Sequence, residues 1–243
     1  MSFYGQKDWR IQVAKGEIPD HSSTVFSALT RGVGTNGVEK TVRNLPEVIT
    51  YFTLATQLYA SSTDAGDTTA TVAVVGLDSN FDEVTRTVTL NGQNQVALSG
   101  TMLRVFSAVV TGSTQVNGDV YIAETDTLTA GVPDTDSKKQ VKINQGDNVG
   151  LTGTITVPNG FKFIAVAFSV RMGKQQDARV KFFSRLEGGL FSNIFDFEIF
   201  EQHSELSGLL IPLVEKTDFE ARLIPGIDNV SCFVGYTFIK YKI

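Results

Sequence analysis

Cysteine occurs once in this 243-residue chain, tryptophan once and histidine twice. A single thiol, Cys232, excludes an intramolecular disulfide framework and a multi-cysteine zinc site. Its neighbours in "VSCFVGY" are apolar at alternate positions, which predicts a packed thiol and not a reactive one. His21 in "PDHSS" and His203 in "EQHSE" sit among polar residues, a setting that predicts exposed rings. No G-x-S-x-G elbow is present to supply the nucleophile of a Ser–His–acid triad. Basic excess is also missing: 21 Lys and Arg against 26 Asp and Glu leave a net charge of −5, so direct nucleic-acid binding is not expected. No apolar run approaches the ~18 residues of a membrane-crossing helix. The segment "MSFYGQKDWR" lacks the apolar core of a secretory signal. A soluble chain made in a reducing cytoplasm, with neither membrane nor nucleic acid as partner, is the expectation.

What the sequence does contain is β-forming residues cut by turn signals. Hydrophobic residues make up 42% and charged ones 19%, a balance that supports a packed core and argues against wholesale disorder. In "VTRTVTL", Val84, Arg86, Val88 and Leu90 fall on one side and Thr85, Thr87 and Thr89 on the other, the period of a half-exposed strand. "GLDSN" predicts a hairpin between Val72–Val75 and Val84–Leu90. Asn91-Gly92 predicts a second hairpin joining "TVTL" to "QNQVAL". Strand-like "MLRVFSAVV" and "DVYIAE" follow, the latter introduced by Asn117-Gly118. "SKKQVKINQG" fits a helical turn or an edge strand. Then come "LTGTITV", a turn at Pro158-Asn159-Gly160, and "FKFIAVAFSV", apolar enough to be buried on both faces. "ARVKFFSRL", "FSNIFDFEIF", "LSGLLIPLV", "DFEARLI" and "VSCFVGYTFIKYKI" complete the series. Strands at this spacing predict an all-β fold, an antiparallel β-sandwich of jelly-roll type. Residues 1–48 show weak periodicity and read as an irregular N-terminal arm or layer. Residues 49–243 read as the sandwich body, with "RMGKQQDAR" at 171–179 serving as a link between two sandwiches or as a long loop.

Several motifs resemble chemical sites by spelling. "GVGTNG" places Gly32, Gly34 and Gly37 in the register of a dinucleotide-binding loop, but Asn44 and Pro46 discourage the helix that would have to follow. The glycines are therefore expected to turn a corner. "DSNFDE" sets Asp78, Asn80 and Asp82 at calcium-loop spacing, yet Glu83 stands where glycine is needed and Thr89 where glutamate is needed. A hairpin turn is expected there. Asp64 and Asp67 in "DAGD" are likewise expected to brace turns. Phe182, Phe183, Phe191, Phe195, Phe197 and Phe200 could form a carbohydrate platform or an oligomer seam. Phe195, Phe197 and Ile199 alternate with Asp196, Glu198 and Phe200, however, as a core-facing stripe does. Asn229-Val230-Ser231 spells a glycosylation sequon and is expected inside a sheet. No carboxylate pair stands out for glycoside hydrolysis. Catalytic, cofactor-binding and metal-binding residues are accordingly predicted as none, and no cofactor is expected.

The block "YFTLATQLYASSTDAGDTTATVAVVGLDSNFDEVTRTVTLNGQNQVALSG", followed by "LRVFSAVVTGSTQVNGDVYIAETDTL", resembles a family of virion structural proteins of tailed bacteriophages. "ITVPNG" is similar to the family's "YTVPAG" turn, with Asn159 in place of alanine, and "EKTDFEARLI" to one of its late strands. The likeness spans about residues 48–235. It implies a non-enzymatic capsid, decoration, neck or tail component, located in the virion. Its implied partners are other copies of itself, as a trimer or higher homo-oligomer, and other virion proteins. The alternative reading is a receptor- or carbohydrate-binding sandwich of a tail fibre. A glycoside-cleaving jelly roll is a third.

Overall fold

The computed structural model describes residues 8–112, 114–200 and 203–243, the side chains of 203–209 excepted. A single helical turn and a half, α1 (Trp9–Ala14), is capped by the Asp8 carboxylate, which accepts from the Arg10 N–H at 3.0 Å. The strands follow as β1 (His21–Thr30), β2 (Lys40–Thr41), β3 (Tyr59–Ser62), β4 (Thr71–Leu77), β5 (Glu83–Thr89), β6 (Val96–Ala97), β7 (Arg104–Thr111) and β8 (Val120–Ala123). After the small hairpin of β9 (Leu128–Thr129) and β10 (Val132–Pro133) come β11 (Lys139–Ile143), β12 (Val149–Leu151) and β13 (Thr154–Thr156). The chain closes with β14 (Phe161–Met172), β15 (Asp177–Leu186), β16 (Ser192–Phe200), β17 (His203–Leu213), β18 (Thr217–Pro225) and β19 (Cys232–Lys242).

Every pairing among these strands is antiparallel, and they form two sandwiches. In one, the sheet β1-β19-β14-β17 faces the sheet β13-β18-β15-β16, with β2 also pairing to β18. This is the eight-strand, two-Greek-key order of a jelly roll. Between β2 and β13, residues 59–151 build the other sandwich from sheets β11-β8-β3-β6 and β12-β7-β4-β5. The fold class is all-β and antiparallel, as the turn spacing predicts.

The jelly-roll core is aromatic. Phe168 of β14 stacks on Phe182 of β15 at 4.7 Å, and Phe219 of β18 meets the edge of Tyr236 of β19 at 5.5 Å. Both sheets therefore send rings inward from alternate positions. The inserted sandwich is aliphatic, with Leu58, Val72, Val74, Val120, Ile122, Val141 and Ile143 all fully buried in a core continuous with the aromatic one.

Three expectations need correcting. The weakly patterned stretch 21–30 is a full strand, paired residue for residue with β19 from His21↔Tyr241 to Thr30↔Cys232. Its core-facing residues, Phe26 and Ala28, are too few among Ser and Thr to stand out by hydropathy. The polar stretch 171–179 is neither a link nor a long loop: β14 runs to Met172, β15 starts at Asp177, and Gln175 turns between them at φ 56. Asn91-Gly92 does not join two paired strands either. The turn residues are Gly92, at φ 58, and Gln93, bridged by Asn91↔Asn94, after which β6 pairs with β3 instead of β5.

Candidate functional site

On β18 the side chains alternate by face. Phe219, Ala221 and Leu223 enter the core, while Asp218, Glu220 and Arg222 turn to the opposite face of the sheet. Register places Arg185 beside Asp218, Phe183 beside Glu220 and Lys181 beside Arg222 on the neighbouring β15. Strand β2 extends the sheet beside β18, with Thr41 paired to Arg222, and the chain around it brings Glu39, Thr41 and Tyr51 into contact with this face.

Asp218 is fully buried and saturated. It accepts from Arg104 Nε at 2.9 Å and Nη2 at 3.1 Å, from Arg185 Nε at 2.9 Å and from Thr156 Oγ1 at 2.5 Å. Two residues along the strand, Glu220 accepts from Thr41 Oγ1 at 2.5 Å and from Arg222 Nη2 at 3.1 Å. Burial raises the Glu220 carboxyl, and the Arg222 and Thr41 bonds only partly offset it. Glu39 takes Lys181 Nζ at 2.7 Å and Arg222 Nη1 at 3.0 Å. Burial pushes its carboxyl up, but these two cations outweigh that and hold it below its usual value. Aromatic rings close the ladder: the Arg185 guanidinium lies 4.5 Å from the Tyr51 ring and 4.3 Å from Phe191, and Arg222 lies 4.5 Å from Phe183. At one end is a hollow of about 200 Å³ lined by Tyr51, Phe52, Arg104, Arg185 and Glu187 among others. Every carboxylate in the ladder is bonded to a cation, so its chemistry is cohesion. Asp218 in particular ties β18 of the jelly roll to Arg104 of the inserted sandwich.

A second network supports that junction. Arg43, pulled down to about 10 by burial, donates to the carbonyls of Lys139 at 2.8 Å and Gln140 at 2.7 Å. Lys40, fully buried, donates to Thr30 Oγ1 at 2.6 Å, Arg43 O at 2.9 Å and Val33 O at 3.3 Å. Burial and then the charge of Arg43 lower its amine to about 7. The ladder does not stand out in the sequence, because Glu220 lies 179 positions from Thr41 and Asp218 lies 114 from Arg104. The D-x-E-x-R alternation in "TDFEARL" is the one local signal, a strand with both faces buried and one of them ionic.

The spelled motifs resolve into turns. Gly32, Gly34 and Gly37 all have positive φ, at 58°, 129° and 75°. The corner is bonded to the β18–β19 loop through Gly37 N–H to Pro225 O at 2.8 Å and Asn229 N–H to Gly34 O at 2.9 Å. No helix opens from it. Asp78 Oδ1 accepts from the N–H groups of Asn80 at 2.8 Å and Asp82 at 3.1 Å, closing the β4–β5 hairpin. Asp64 accepts from Gly66 N–H at 2.7 Å, and buried Asp67 accepts from Asn117 N–H at 2.9 Å and Gly118 N–H at 3.1 Å. Asn229 sits in a loop at φ 58, not in a sheet, because the β18–β19 connection needs a left-handed residue there.

His21 is half-buried and not fully exposed: its ring stacks on Tyr241 at 5.2 Å. The His203 side chain lies outside the described residues. Cys232 is buried, and burial pushes its thiol up to about 12. The aromatic run behaves as a core stripe. Phe182 is fully buried, Phe195 and Phe197 pack against the core, and Phe200 is 62% exposed. Asp177 and Glu198, which sequence could not single out, line one hollow of about 280 Å³ with Phe200, Ile224 and Pro225. Among the described residues no group of three His, Cys, Asp or Glu side chains could hold a metal ion. No helix among them is long and apolar enough to cross a membrane.

No protein-family model and no curated protein matches the chain. Among solved structures it is similar to that of the infectious bursal disease virus Gt strain, at 10% identity and a TM-score of 0.21, covering 95% of this chain and 77% of that one. It is similar to the Gx strain structure at 9% identity and a TM-score of 0.21, covering 91% and 76%. A mutant VP2 protein of the same virus in derived T=1 particles gives 8% identity and a TM-score of 0.18, covering 98% and 80%. Likeness at this level establishes neither family nor function.

Proposed function

We propose that this chain is a virion structural protein that works through protein–protein contacts in many copies, in capsid decoration or in head, neck or tail assembly of a tailed phage. The observation that carries the reading is the strand order β1-β19-β14-β17 over β13-β18-β15-β16, an architecture used by viral capsid domains. Lectin domains and cupins use it too, so fold alone does not decide. The sequence resemblance over 48–235 to phage virion proteins favours the capsid-type use. So does the ionic ladder, in which each carboxylate is bonded to a cation and Asp218 ties the two sandwiches together through Arg104. The carbohydrate-binding alternative is weakened because Phe182, Phe195 and Phe197 pack inward and leave Phe200 as the one strongly exposed ring of the run. Mass spectrometry of purified particles, with band intensity giving copy number, tests the reading. The chain is expected in many copies per particle, and its absence from particles would reject the proposal.

A further inference from the structure

Strands β15, β16 and β18 run side by side, so their ends define two poles of one sheet. At one pole is the β15–β16 turn, where Leu186 is 57% exposed and Leu190 92%. The nearby 51–53 segment, which shares the small hollow with Arg185 and Glu187, leads into Leu54 at 78% exposure. At the other pole is the hollow of about 280 Å³ walled by Ala178, Phe200, Ile224 and Pro225, with Asp177 and Glu198 beside it. Ala178 and Leu186 are eight steps apart on β15, about 27 Å at about 3.4 Å per residue. A protruding apolar turn and an apolar recess thus face away from each other on one chain.

The charges at the two poles differ in the same sense. Of the charged residues lining the hollows, the turn pole has Arg104 and Arg185 against Glu187. The recess pole has Asp177 and Glu198 against Arg179. Asp218 and Asp196 partner those arginines, one aspartate at each pole, so a difference of two charges persists after they are included. Two turn poles, or two recesses, brought together would oppose like surfaces. The turn of one copy against the recess of the next joins apolar to apolar and sets a neutral pole, not a second negative one, against the negative recess.

We infer that the chain associates head to tail with a second copy of itself, the Leu186–Leu190 turn seating in the Phe200–Ile224–Pro225 recess. This inference rests on the structural-protein reading and names the surfaces it would use. The contact is heterologous, so it closes into a ring if the rotation between copies allows and otherwise extends as a filament. The open edge of β16 does not offer an equivalent self-pairing. Antiparallel pairing of two copies centred on Phe197 would set Asp196 of each copy against Glu198 of the other, carboxylate against carboxylate.

Cross-linking tests it at a concentration where the wild-type chain sediments as an oligomer. Leu190→Cys chains mixed with Phe200→Cys chains under oxidation are expected to give a disulfide-linked dimer, and either variant alone none. Cys232 is buried and does not interfere. A dimer from Leu190→Cys alone in equal yield, or no dimer from the mixture, overturns the inference. Leu190→Asp is expected to weaken association by about tenfold or more, as loss of an apolar anchor does. Its far-UV circular dichroism should match wild type, since the residue is exposed. If wild type and Leu190→Asp assemble equally well, the head-to-tail contact is wrong and the structural-protein reading stands. If wild type does not self-associate at any concentration, both fall.

Discussion

Arg104, the first residue of β7, grips Asp218 of β18 through two hydrogen bonds of 2.9 and 3.1 Å, with both side chains nearly or fully out of solvent. The pair joins the inserted sandwich to the jelly roll across 114 positions of sequence. Removing one partner of such a buried pair strands a charge and typically costs about 3–5 kcal/mol. Asp218→Ala is therefore expected to lower the urea midpoint sharply. Arg104→Met combined with Asp218→Leu should lose less than Asp218→Ala alone, since no charge is then stranded in the core and Arg185 reaches solvent. A double variant as unstable as the sum of its parts would show the two residues to be independent.

The carbonyl of the same Arg104 constrains Gly76. A Cβ at Gly76 would lie 1.9 Å from Arg104 O, against backbone that cannot swing aside. The β4–β7 register also shifts between Val75 and Gly76. Gly76→Ala is expected to destabilise by about 2 kcal/mol or more, in the range of overpacking substitutions. Thermal unfolding would measure it, and an unchanged midpoint would contradict the packing described.

Lys40 gives stability a pH dependence of known sign. Its amine is lowered to about 7 by burial and then by Arg43, from an ordinary value of 10.5. Between those values the unfolded chain binds the extra proton. Stability thus rises with pH across that window, by up to about 1.4 kcal/mol per unit from this group. Cys232, raised by burial to about 12 from an ordinary value of 9.0, acts oppositely above pH 9, where only the unfolded thiol ionises. Chemical denaturation between pH 7 and 9 should show stability increasing for wild type and a flatter profile for Lys40→Met. Parallel profiles would sink the assignment.

Burial of Cys232 also predicts its reactivity. A thiol at 1% exposure with a raised pKa should resist an aromatic disulfide reagent at pH 8. One thiol per chain should react in urea. Prompt labelling of the folded protein would mean that β19 opens on that timescale.

How much of this the sequence discloses depends on the range of the interaction. The β4–β5 hairpin was legible because Val84, Val88 and the intervening threonines alternate and Asp78 braces the turn locally. The Phe195–Phe197–Ile199 stripe was legible for the same reason. Strand β1 was not, because its strength comes from ten pairings with β19, some two hundred positions away. The exit from Asn91-Gly92 is not legible, because a turn dipeptide sets a local reversal but not which sheet the next strand joins. The Arg104–Asp218–Arg185 cluster was invisible, since three strands must be brought together before its charges meet.

Sedimentation velocity of the purified chain over a wide concentration range tests the idea of a multi-copy building block most directly. The account predicts a defined assembly larger than the 26.4 kDa protomer, growing in population with concentration and shifted to about tenfold higher concentration or beyond in Leu190→Asp. A monodisperse 26.4 kDa species at every concentration would contradict it.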